Sequence, residues 1–177
     1  NGNGVTVNVP ELVSGSSEEA LRIENSFGSS IETSIQSENG DGIRINGGEF
    51  NTVEAVVSTP EGTALLMDRA NQNSINLVAN LPDETGAQIQ NSSSNRLLLS
   101  VEQGARNGVV LEGGAGNWIS VDVNQVGSVG IHLKNTLSND LDGTVHTTVG
   151  PGVLLENSTN NSLDVEVDSA AVGVELI

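Results

Sequence analysis

The chain has 177 residues, a formal net charge of −17 and no cysteine. The charge argues against nucleic acid and anionic membranes as partners, since both recruit clustered Lys and Arg. The missing cysteines exclude disulfides and thiolate chemistry, and no apolar run approaches the roughly 20 residues of a membrane span. With 21 Gly, two Phe, one Trp and no Tyr, the core must be thin and built from Val, Leu and Ile.

In chain order, the first element is an alternating strand, Val5-Thr6-Val7-Asn8-Val9. Its preceding Asn3-Gly4 lets it align with Asn51-Thr52-Val53-Glu54-Ala55-Val56-Val57. An expanded turn follows from Pro10 to Glu19. From Ala20 onward one motif recurs: a small residue, apolar-x-apolar, a polar turn with Asn, then apolar-x-apolar-x-apolar. The opening small residues are Ala20, Gly42, Ala64, Gly86, Gly108, Gly130, Gly152 and Gly173, spaced by 22 six times and then by 21. Residues 1–177 thus read as a single solenoid domain: 1–19 an irregular first coil with an expanded turn, 20–177 regular coils.

Each column keeps its character. The second apolar column reads Ile23, Ile45, Met67, Ile89, Leu111, Leu133, Leu155, Leu176. The fifth reads Ile35, Val57, Ala79, Val101, Val123, Val145, Val167. Alternate residues of a strand point to one face, so each coil has an apolar inward side that it cannot bury alone. Stacking coils about 4.8 Å apart pairs the backbone between coils and makes one core. Between the strands runs a column of Ser29, Asn51, Asn73, Asn95, Asn117, Asn139 and Asn161. Asn tolerates left-handed backbone, and stacked amides can bond along the column. A small column (Ser26, Gly48, Ala70, Ser92, Gly114, Thr136, Ser158) fits a tight corner. The fold class is therefore all-β: a right-handed parallel β-helix of about eight coils of 22 residues. Left-handed hexapeptide solenoids do not fit, because 22 is not a multiple of six, and strict alternation leaves no room for the helix of a leucine-rich repeat.

The pattern G-[IV]-x-L-x-N-[ST]-x-x-N-x-[IL], complete in Gly152-Val153-Leu154-Leu155-Glu156-Asn157-Ser158-Thr159-Asn160-Asn161-Ser162-Leu163, resembles the right-handed parallel β-helix repeats of the pectin-lyase-like superfamily. The resemblance spans nearly the whole chain and implies fold rather than activity, because that fold carries lyases, hydrolases, epimerases, adhesins and tailspikes. It implies an extracellular or cell-surface location. It also implies that stacked carboxylates on one face bind Ca²⁺ or act on acidic sugars.

The outward columns turn acidic late in the chain. Asp142 and Asp164 share a column in adjacent coils and form the candidate acid–base pair. Asp122, Asp142, Asp164 and Glu166 are the candidates for a weak Ca²⁺ site. A solvated acidic face is the simpler account of all four, so neither a catalytic set nor a cofactor is expected. The turns hardly vary, no Arg or Lys stands in the acidic columns, and His132 and His146 are isolated. One outward column is partly apolar (Arg22, Arg44, Leu66, Gln88, Val110, His132, Leu154) and could make a lateral contact. The expected function is a non-catalytic structural or adhesive solenoid. The alternative is the β-helix portion of a carbohydrate-active protein acting on or binding acidic polysaccharide. No terminal cap is evident. Either the chain is cut from a longer protein, or it is an idealised solenoid, or its ends pair between molecules. In the last case Val5, Val7 and Val9 at one end and Val174, Leu176 and Ile177 at the other would carry self-association.

Overall fold

The computed structural model describes residues 6–14, 19–37, 40–58 and 61–177. Strands alternate between a long-strand and a short-strand face of each coil. They are β1 (Thr6–Ser14), β2 (Leu21–Glu24), β3 (Ser30–Ser37), β4 (Ile43–Asn46), β5 (Thr52–Ser58), β6 (Leu65–Asp68) and β7 (Ser74–Asn80). They continue as β8 (Thr85–Gln90), β9 (Arg96–Glu102), β10 (Asn107–Glu112), β11 (Trp118–Val126), β12 (Val129–Lys134), β13 (Asp140–Glu156) and β14 (Ser162–Leu176). Odd strands stack on odd and even on even, all in parallel, until β13 joins the two series and β14 pairs β13 along both faces. The architecture is a parallel β-solenoid of about seven turns, with no helix among the described residues.

The apolar columns form one continuous core. Ile43, Leu65, Ile75, Leu97, Val109, Ile119 and Ile131 are inaccessible to solvent. The small opening column has a steric cause. A Cβ on Gly86 would collide with the side chain of Val101, one on Gly108 with Val123, and one on Gly130 with Val145. In these coils the two ends of the core thus meet at a contact with room for one branched side chain and no more.

The Asn column is the second organising device. Asn51, Asn73, Asn95, Asn117 and Asn139 are buried, and from Asn73 to Asn139 each Oδ1 accepts from both the backbone N–H and the side-chain amide of the Asn one coil earlier: Asn51 to Asn73, Asn73 to Asn95, Asn95 to Asn117 and Asn117 to Asn139, at 2.9–3.3 Å. The amides also reach across the corner to the carbonyls of Ser26, Ala70 and Ser92. The left-handed backbone expected of this column lies elsewhere. Positive φ falls on the residue before it (Phe50, Gln72, Ser94, Ser138, Asn160) and on the corner column of Asn25, Arg69, Asn91, Asn135 and Asn157. Hydrogen bonding, not backbone freedom, therefore selects Asn at the ladder.

The first strand also differs from its sequence alignment. Val7, not Val5, enters the column of Ile31 and Val53, Val9 enters that of Thr33, and Leu12 that of Ile35 after a register shift. A slip of two residues keeps every side chain on its face, so alternation alone could not set it. Pro10 lacks an amide hydrogen and falls in the irregular stretch between Val9 and Leu12, and the strand then runs on to Ser14 where a turn was expected. Behind it Glu19 bonds Arg22 and stands 3.8 Å from Arg44, and the Arg22 guanidinium holds the Glu19 carboxyl below its usual range.

Candidate functional site

Function must reside on outward positions, and the long-strand face gathers the residues singled out above. Parallel pairing puts Asp142 directly beside Asp164, both exposed. One column over, Thr144 lies between Asp122 and Glu166, and its hydroxyl donates to Asp122 Oδ1 at 2.8 Å. The four carboxylates therefore lie in two columns, divided by a hydroxyl. Among the described residues no three His, Asp or Glu side chains are grouped closely enough to hold a metal ion.

The histidines sit apart. His146 Nδ1 is 3.9 Å from Asp168 Oδ2 on the long-strand face. His132 stands on the short-strand face between Val110 and Leu154, its Nε2 buried, without a hydrogen bond, and 3.3 Å from Glu156 Oε2. Lys134 pairs with Glu112 at 3.7 Å. In the partly apolar column, Leu66, Val110 and Leu154 are half-buried, covered in part by their stacked neighbours.

Three features had not been singled out in the sequence. Arg96 lies over the Trp118 ring at 4.6 Å. The two are 22 residues apart, so the repeat already placed them in one column. Next to them a shallow groove of about 220 Å³ is lined by Asn76, Val78, Leu98, Ser100, Ser120 and Asp122. Phe27 and Phe50 meet edge to face at 5.2 Å, both half-exposed, at the corner. No spacing rule brings these two together, since they belong to neighbouring columns.

At the end of the stack, β14 has one neighbour, and its inward columns are uncovered. Leu163, Val165 and Val167 are half-buried, and Val174, Leu176 and Ile177 are 54%, 73% and 67% exposed. Of the residues expected to pair at the other end, Val5 lies outside the described residues. Val7 and Val9 are placed by backbone register only. No protein-family model, curated protein or solved structure matches the chain. The fold and the site thus define a class, a parallel β-solenoid with an asparagine ladder.

Proposed function

We propose that this chain is a non-catalytic structural or adhesive β-solenoid of the cell exterior, a stiff rod that works through its outward surface. One observation carries the reading. The 22-residue register runs unbroken from Asn51 to Asn161, each coil locked to the next by the buried ladder, with no insertion to wall off a substrate cleft. Uniform coils make a rigid support; enzymes bury a ligand in a concave site. The resemblance to pectin-lyase-like repeats supports an extracellular setting. The test is incubation with pectate and with alginate plus Ca²⁺, following unsaturated product by ultraviolet absorbance. No turnover is expected. Turnover that disappears in Asp142→Ala or Asp164→Ala overturns the reading.

A second reading rests on the same face. The adjacent carboxylates of Asp142 and Asp164, with Trp118 and the groove at Leu98 nearby, suit the β-helix portion of a protein that binds or cleaves polysaccharide. Retention of the chain on immobilised pectate, lost in Trp118→Ala, would favour it.

A further inference from the structure

We propose that the long-strand face holds a linear, neutral, β-linked glycan along one oblique apolar track, Val56, Val78, Leu98 and Trp118. The proposal rests on the reading of an adhesive rod and deepens it by naming what the outward surface takes.

Register sets the track. Ser30, Glu32, Ser34 and Gln36 of β3 head four outward columns, and parallel pairing carries these through β5, β7, β9, β11 and β13 to β14. Val56, Val78, Leu98 and Trp118 are their apolar members; every other position in them is polar or charged. Val78 follows Val56 in one column. Leu98 lies one coil on and one column over, and Trp118 one coil and one column beyond Leu98. Four successive coils thus give one apolar residue each, in a single connected line. With strands about 4.8 Å apart and alternate residues about 6.6 Å apart, the line runs about 20 Å. Val56 is exposed and the other three are half-buried. Scattered apolar surface residues need no explanation, whereas a contiguous stripe marks a binding surface.

Shape and charge name the occupant. The groove of about 220 Å³ follows the middle of the line, because the short side chains of Ser100 and Ser120 stand beside the longer Val78, Leu98 and Asp122. Its lining adds the Asn76 amide and the Asp122 carboxylate. A sugar ring has apolar C–H faces and a rim of hydroxyls, which match a narrow apolar line edged by hydrogen-bonding groups. A stable protein partner needs about 800 Å² of one face, which a single row of four side chains does not supply. Charge selects a neutral chain. Glu54, Asp122 and Asp142 flank the line, and Arg96, the one Lys or Arg in these columns, lies over the Trp118 ring. A polyuronate meets like charge there, whereas carboxylates accept hydrogen bonds from the hydroxyls of a neutral sugar. A straight line in turn suits an extended, β-linked chain.

The experiment is native electrophoresis of the 177-residue chain through gels containing hydroxyethylcellulose, a soluble neutral β-1,4-glucan, through gels containing polygalacturonate, and through gels with neither. Retardation by the glucan and none by polygalacturonate is expected. Trp118→Ala and Leu98→Ser should each weaken the dissociation constant read from the retardation at least about tenfold. Ser120→Gln removes no apolar group but fills the groove, and it should weaken binding as well. Val110→Ser takes a half-buried apolar side chain from the short-strand face and should bind like wild type. Circular dichroism melting of each variant shows that the fold is kept. A chain that the glucan does not retard, one that polygalacturonate retards as strongly, Trp118→Ala and Leu98→Ser variants that bind like wild type, or a Val110→Ser variant that loses as much overturns the track. None of these outcomes touches the non-catalytic reading, which falls only to turnover of polyuronate.

Discussion

Leu111 and Leu176 occupy the same column of the same repeat, yet one is inaccessible to solvent and the other is 73% exposed. The backbone around them is alike: each closes the apolar-x-apolar start of its coil, two residues after Val109 and Val174 respectively. What differs is the coil on the far side. In a solenoid, burial belongs to the neighbour as much as to the residue, so identical motifs contribute very different stability by position.

The difference can be measured. Leu111→Ala should cost about 2–5 kcal/mol in urea unfolding, the usual range for a leucine truncated in a packed core. Leu176→Ala should cost less than about 0.5 kcal/mol under conditions where the chain is monomeric, as surface changes do. Equal losses would mean that the last coil is covered in solution. The ladder should grade in the same way. Asn95→Ala strips the backbone and side-chain amides of Asn73 of their acceptor and should cost about 1–3 kcal/mol, the penalty for buried polar groups left unmet. Asn161→Ala should cost less, because that amide is only half-buried.

The smallest effect is expected at the first coil, where charge rather than packing ties Glu19 to Arg22. Arg22 holds the Glu19 carboxyl below its ordinary range. The contribution is therefore full above the pKa of the unfolded chain and disappears as pH falls through the lowered folded value. Glu19→Gln should unfold at slightly lower urea than wild type at neutral pH, and the two should converge in acid. A gap that persists in acid would assign Glu19 a packing role instead.

Most of the fold was legible in the sequence because a solenoid repeats one decision. Period-2 alternation, a constant 22-residue spacing and a column of Asn each report the same coil, so a looser position such as Thr33 or Gly143 does not blur the pattern. What escaped was what repetition does not encode. The two-residue slip of β1 leaves its faces unchanged. The left-handed corner falls on Phe50, Gln72 and Ser94, residues with no shared chemistry. The acidic candidates were legible as outward columns, whereas the hydroxyl of Thr144 between Asp122 and Glu166, bonded to Asp122, had not been singled out. The Arg96–Trp118 stack was readable from spacing alone, whereas the Phe27–Phe50 contact needed coordinates.

The ladder has one more property. In the bonds between ladder residues the donor belongs to the earlier coil and the acceptor to the later one, from Ser29 to Asn161. The ladder bonds thus share one direction along the stack, and amides in such a chain polarise one another. The molecule carries a vector along its axis, with the electron-rich face of the amides toward the first coils and the electron-poor face toward the last. Asp164, Glu166, Asp168 and Glu175 lie on the coil at that electron-poor pole. They are placed as acidic side chains are at the start of an α-helix, where they oppose an aligned row of peptide dipoles.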